Sequence, residues 1–280
     1  MRRWCAILVL AAAAWGAGMK KIEVQGHRGA RAVKPENTLP AFEYAISLGV
    51  ETLELDMQVT KDNVVVVSHD PVLHAPMCKG PAERAVIRQL TLAEVRAWDC
   101  GALKNPDFPG QEPVPGTRMP TLDEVFALAP RGTFTFNIET KMSERPGESP
   151  EPEEFVRLVL ASIRKHKLEK RVILQSFDFR TLRIMRSLAP EIRLAALYAG
   201  APKDLVALSK EAANAEIVSP NFMLVGRDSV AKAHAAGLQV IPWTPNRPEQ
   251  WARMVEAEVD AIITDDPAGL IAFLKERGLR

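Results

Sequence analysis

Cysteine, long apolar runs and an excess of either charge are all scarce in this chain of 280 residues. Lysine and arginine number 36 against 35 acidic residues, a formal net of +1, so there is no broad basic surface of the kind that holds nucleic acid by neutralising phosphates. One apolar stretch, from Trp4 to Ala14, stands out, and it is too short to remain in a bilayer as a spanning helix. No stable membrane insertion is expected. The 3 cysteines include only one pair in the body of the chain, Cys78 and Cys100, without the further Cys or His that a zinc site needs. Internal repeats and low-complexity tracts are also missing beyond the first eighteen residues. What remains is 47% hydrophobic, enough to bury one core of barrel size or two smaller ones.

The start of the chain has a composition of its own. Arg2 and Arg3, the apolar run, and then Gly16, Ala17 and Gly18 read as a secretory signal over residues 1–18. Removing it takes the formal net charge from +1 to −1 and sends the protein to the periplasm or the medium. A start at Met19 would instead leave it in the cytoplasm. Cys5 stands at the very start of the apolar run, so it is not a lipid-attachment site following one. In an exported chain Cys78 and Cys100 are candidates for a disulfide worth ~3 kcal/mol; in the cytoplasm they would stay free thiols.

Eight short β-branched runs alternate with amphipathic stretches. The strands are expected over 22–25, 52–57, 133–138, 172–175, 192–197, 216–218, 239–243 and 261–263. Helices are expected over 39–48, 153–166, 179–188, 203–212, 228–236, 248–255 and 267–277. This alternation predicts an α/β fold, a TIM (β/α)8 barrel over 22–280, with its active site at the C-terminal ends of the strands. A ninth strand, over 64–68, follows the second after only Thr60, Lys61, Asp62 and Asn63. That loop is too short for a parallel crossover, so the strand must return as a hairpin, with Asn63 at a turn position of positive φ. The alternation then stops over 71–120, which reads as a small insertion with one helix over 92–98 and a proline-rich passage. Residues 143–152, rich in Glu and Pro, would overhang the same mouth.

The chemistry gathers at the strand ends. Glu54 and Asp56 are two apart on one strand and therefore share a face, and the hairpin returns His69 beside them. With His27, Arg28, Glu139 and Lys141 at neighbouring ends, three carboxylates converge without a thiol, a donor set for one divalent cation such as Mg²⁺ or Ca²⁺ rather than Zn²⁺. Arg28 and Lys141 would face an oxygen-rich anion, most naturally a phosphate ester, and the two histidines would move protons. Trp243 could pack on a substrate's carbon skeleton or simply fill the barrel core. His74, His166 and His234 read as structural or solvated, and the charge run from Arg164 to Lys170 as the wet end of a helix.

These residues fall in a recognisable order. Gly26-His27-Arg28-Gly29-Ala30, Pro35-Glu36-Asn37-Thr38, Glu54-Leu55-Asp56, Asp62, Ser68-His69-Asp70, Asn137-Ile138-Glu139 with Lys141, Gln175-Ser176-Phe177-Asp178, Trp243-Thr244, and Asp260 with Ile263-Thr264-Asp265-Asp266-Pro267 together resemble the glycerophosphodiester phosphodiesterases. The resemblance implies a TIM barrel with an insertion after the second strand, a divalent metal on Glu54, Asp56 and Glu139, and His27 and His69 as acid/base pair. It implies hydrolysis of small-molecule glycerophosphodiesters to glycerol 3-phosphate and an alcohol. Two other readings remain open at this point: a related phospholipase acting on phosphatidylinositol or a lysophospholipid, and an exported binding protein without activity. Asn63 and Ala261 stand where that family commonly has glycine, which touches local turn geometry only.

Overall fold

In the computed structural model, which describes residues 21–280, the strand-forming runs close into a barrel with the helices outside it. The expected signal segment over 1–18, with Cys5, and the alternative start Met19 lie outside the described residues. In chain order the first half contains β1 (Glu23–Gly26), α1 (Leu39–Leu48), β2 (Thr52–Val59), β3 (Val65–Val67), β4 (Val72–His74), β5 (Arg84–Val86), α2 (Leu92–Val95), α3 (Leu122–Phe126) and β6 (Thr135–Thr140). The second half contains α4 (Pro152–His166), β7 (Val172–Ser176), α5 (Phe179–Leu188), β8 (Arg193–Tyr198), α6 (Leu205–Glu211), β9 (Ile217–Pro220), α7 (Arg227–Ala235), β10 (Gln239–Val240), α8 (Pro248–Glu256), β11 (Ala261–Thr264) and α9 (Pro267–Lys275).

Eight strands pair in parallel in the order β10, β9, β8, β7, β6, β2, β1, β11, and β3 returns antiparallel on β2 as its short loop requires. The expected TIM barrel is therefore present. Its seam lies between β10 and β11, where Asp260 N donates to Val240 O and Ile263 N to Pro242 O, each at 3.0 Å. Trp243 completes the closure by bridging Asn221 on one side and Ile263 on the other. The strand expected over 239–243 is thus shorter than its pattern suggested, because Pro242 has no N–H to give to a ladder. A second shift matters more: the strand expected over 133–138 runs Thr135–Thr140, so Glu139 is a strand residue rather than a loop residue.

The expected insertion is more ordered than its proline content suggested. It begins with the ribbon β4–β5, which was not foreseen, and its helix is a single turn, Leu92–Val95, capped by Thr91 and Glu94. Cys78 and Cys100 are joined in a disulfide and, with Trp98, Leu73 and Ile87, form a core separate from that of the barrel. α3 also went unforeseen, although Thr121 and Glu124 make the reciprocal capping box that marks a helix start.

Two apolar layers hold the barrel. Ile173, Ala195, Ile217, Ile241, Ala261 and Ile263 fill its interior at one level, while the larger cluster lies between strands and helices. α4 illustrates the second layer: Phe155, Val156, Val159, Leu160 and Ile163 are buried at helical spacing, with Glu153 and Glu154 in the first turn and Arg164, Lys165 and His166 in the last, favourable to the helix dipole. No helix among the described residues is long and apolar enough to cross a membrane.

Candidate active site

Strand register builds the site. On adjacent strands β2 and β6, Asp56 is opposite Glu139 and Glu54 opposite Asn137, so Glu54, Asp56 and Glu139 all point into the barrel mouth. One oxygen from each lies within 4.8 Å of the others, and all three residues are buried. Burial and the Asp56 charge raise Glu54 well above the ordinary carboxylate range, and burial pushes Glu139 up to about 8. Asp56 goes the other way: burial opposes its charge, but Arg28, His69, Lys141 and His27 outweigh that and lower it. Like charges crowded in low dielectric are costly to ionise together, and a cation among them would relieve that cost. The donors are all hard oxygens, so the three residues fit a divalent ion of the Mg²⁺ or Ca²⁺ kind.

The surrounding polar groups fix these acids. Gln175 Nε2 donates to Glu54 Oε1 at 2.7 Å and the backbone N–H of Arg28 to Glu54 Oε2 at 2.8 Å. Asn37 Nδ2 donates to Asp56 Oδ2 at 3.0 Å. Beneath them Asn137 Nδ2 reaches Gln25 Oε1 (2.9 Å) and Gln175 Oε1 (3.1 Å), a polar layer spanning three strands. The β1 turn makes this possible: Arg28 and Asn37 take positive φ, and a Cβ at Gly26 would come within 2.1 Å of Gly29 O. Asn63 has φ 61°, as its turn position demands.

The two histidines stand on different sides of the acids. His27 follows β1; its Nδ1 is paired with Asp265 Oδ1, and its Nε2 is 4.0 Å from Glu54 Oε2. Burial lowers the His27 pKa below 6.5, although Asp265 pulls the other way. Asp265 is itself held low: burial is outweighed by His27, Arg31 and Asn246, whose Nδ2 donates to Asp265 Oδ2 at 2.7 Å. His69, after β3, has Nδ1 2.7 Å from Asp70 Oδ1 and Nε2 3.0 Å from Lys141 Nζ. The hydrogen bond from His69 leads the causes that hold Asp70 down at about 2.

Every residue expected at the site, His27, Arg28, Glu54, Asp56, His69, Glu139, Lys141 and Trp243, lines one cavity of about 190 Å³. One placement differs from the sequence expectation. Arg28 is only 9% exposed, with Nη1 2.6 Å from Glu36 Oε1 and Nε 3.1 Å from Asp56 Oδ2, so it is as much a brace for the acids as an open charge. Trp243 does both things its position allowed, lining the cavity and packing against the barrel-interior cluster: its Nε1 donates to Ser219 O at 2.8 Å, and its ring meets exposed Phe177 edge-on at 5.5 Å. His166 and His234 pair with Asp123 and Asp260 away from the cavity, while His74 shares Asp70 with His69. Sequence reasoning gave no role to Asp265, Gln175, Asn37 or Arg31; the first three stood within quoted motifs, but what they hold is visible only in space.

A parallel barrel with a buried acidic trio, two imidazoles and three cations at the C-terminal ends of its strands defines a hydrolase for phosphate esters. Residues 27–269 match the Glycerophosphoryl diester phosphodiesterase family, and the chain belongs to it. It is 34% identical over 262 residues to the glycerophosphodiester phosphodiesterase of Caldanaerobacter subterraneus subsp. tengcongensis, covering 92% of this chain and 100% of that one. Among solved structures, a Silicibacter pomeroyi DSS-3 protein assigned to the same enzymes superposes with a TM-score of 0.85 at 31% identity, over 93% of this chain and 97% of that one. A phosphodiesterase from Oleispira antarctica, solved with the product sn-glycerol-3-phosphate, shares the fold with a TM-score of 0.79 at 22% identity, over 91% and 97% of the two chains. The chain is thus an enzyme of the phosphoric diester hydrolase class, as its motifs indicated.

Proposed function

We propose that the chain hydrolyses glycerophosphodiesters to glycerol 3-phosphate and an alcohol such as choline, ethanolamine or glycerol, with one Mg²⁺ or Ca²⁺ on Glu54, Asp56 and Glu139. The observation that carries this reading is the convergence of three buried carboxylates and two separately braced imidazoles on one cavity. Its volume of about 190 Å³ suits a small polar diester, being below the roughly 300 Å³ at which sites for larger ligands begin. The intact lipid of the phospholipase reading has no such support. When bound, the metal would supply positive charge against the phosphoryl oxygens.

The chain's own groups do the rest. Asp265 holds His27 Nδ1, which leaves Nε2 directed inward, and burial keeps the ring neutral near pH 7; His27 thus acts as the base toward water or the substrate's own glycerol hydroxyl. Asp70 offers His69 a countercharge, so a protonated His69 can donate from Nε2 to the departing alcohol, Lys141 then remaining with Glu139 Oε1 at 3.0 Å. Arg28 and Lys141 offset charge on the phosphoryl oxygens, and Trp243 packs on the substrate's carbon atoms. Export is part of the same proposal: Arg2, Arg3 and the apolar run, together with the Cys78–Cys100 disulfide, favour an oxidising compartment, and the mass of the protein recovered outside the cytoplasm should correspond to a cut near Gly18.

Turnover of glycerophosphocholine, coupled to glycerol 3-phosphate detection, is the test. Metal-loaded protein should be active, and His27→Ala and His69→Ala should each lose ~10²-fold or more in kcat with the fold intact. A double histidine variant with wild-type rates would remove the acid/base assignment, and tight binding without turnover would favour a binding protein.

A further inference from the structure

The cations around the cavity are not equally engaged. Arg28 is tied to Glu36 and Asp56, and Lys141 Nζ lies 3.0 Å from both Glu139 Oε1 and His69 Nε2. Arg31, like Arg28, has an ion pair through Nε that is not a hydrogen bond, but it lacks the Nη hydrogen bond that Arg28 makes. It lines the same cavity with its side chain only 17% exposed, yet no protein atom among the described residues accepts a hydrogen bond from its guanidinium. Its Nε is 3.0 Å from Glu36 Oε2 without the alignment of a hydrogen bond, and 4.0 Å from Asp265 Oδ1. Glu36 gives its other oxygen, Oε1, to Arg28, and Asp265 Oδ1 is paired with His27, so neither acid takes up the Nη groups of Arg31.

The side chain is nonetheless held. The Phe108 ring, from the insertion, lies with its centroid 4.6 Å from Arg31 Cζ, and Gln111 Nε2 of the same segment donates to Arg31 O at 2.7 Å. Ala32 N donates to Asp265 O at 3.1 Å, tying this turn to the end of β11. A planar guanidinium fixed on an aromatic face, largely withdrawn from water and with unused donors, is built to receive an oxyanion. We propose that Arg31 binds the substrate directly, donating from its Nη groups to a non-bridging phosphoryl oxygen on the His27 side of the cavity. The insertion then has a part in recognition, because Phe108 and Gln111 set the orientation of this arginine.

The inference rests on the diester reading for the identity of the substrate. Its test compares metal-loaded wild type, Arg31→Gln and Arg31→Lys by calorimetric titration with sn-glycerol 3-phosphate and by steady-state kinetics on glycerophosphocholine. Arg31→Gln should weaken product binding and raise KM by ~10-fold or more with bound metal unchanged, and Arg31→Lys should recover part of both. Product affinity and KM within about twofold of wild type in Arg31→Gln overturn the proposal. So does a loss confined to kcat, the pattern of a residue that acts only by positioning His27 through Asp265. Wild type that binds sn-glycerol 3-phosphate but does not turn over the diester would sink the proposed reaction, while the calorimetric comparison would still decide the role of Arg31.

Discussion

Replacing Asp265 by Asn tests the proposed base most directly, because it changes a charge and almost no volume. In the wild type the Asp265 carboxylate accepts from His27 Nδ1 and from Asn246 Nδ2, the latter at 2.7 Å. An Asn amide presenting its NH₂ to Nδ1 would favour the tautomer with the proton on Nε2, where a base needs a lone pair. Loss of general-base catalysis is worth ~10²–10⁴ in rate, or about 3–5 kcal/mol of barrier, so kcat on glycerophosphocholine should fall by that factor. Asp265 also acts to raise the His27 pKa, which burial has already lowered from 6.5, so the acid limb of the remaining activity should move to still lower pH. The assay is a coupled rate measurement from pH 5 to 9, with thermal unfolding as the check on the fold. A well-folded variant with kcat within about threefold of wild type would refute the reasoning, since the base would then not depend on the tautomer.

Glu139, pushed up to about 8, must release a proton to bind a cation below that pH, and Glu54 is raised as well; metal affinity should fall at least ~10-fold per pH unit, read by calorimetry in buffers of different ionisation enthalpy. A pH-independent affinity with no proton release would contradict this. Phe136 is fully buried, edge-on to Phe126 at 5.0 Å and Phe134 at 5.3 Å, and Phe136→Ala should cost ~3–5 kcal/mol in chemical denaturation. Replacing Cys78 and Cys100 together by Ser removes a cross-link across 22 positions, worth ~3 kcal/mol, and hydrogen exchange should quicken in 71–120 before it does in the barrel strands.

Much of the site was legible because its residues sit at positions where strand geometry dictates direction. Glu54 and Asp56 share a face by the two-residue period of β2, and the four residues before Val64 are too few for anything but a hairpin, which returns His69 to them. Glu139 was placed near the mouth although its strand was expected to end at 138; the strand runs on to Thr140, and pairing with Asp56 puts Glu139 on the face of the other two acids. The ribbon β4–β5 and the single-turn α2 were not legible, since three-residue strands and one helical turn have too little periodicity to register, and the separate core formed with the disulfide stabilises them instead. β10 read long because apolar pattern does not reveal that Pro242 interrupts a ladder.

From the residues alone came the barrel, the hairpin and the trio of acids with two histidines, all consequences of local period, loop length and side-chain type. Tertiary structure alone decided which partners those groups have: that Asp265, 238 positions from His27, holds its ring, that Arg28 is occupied by Glu36 and Asp56, and that Arg31 lies against Phe108 with donors unused. Such pairings depend on barrel closure, which brings β11 beside β1, and on the packing of an insertion whose sequence has no regular period; neither distance is encoded in any window along the chain.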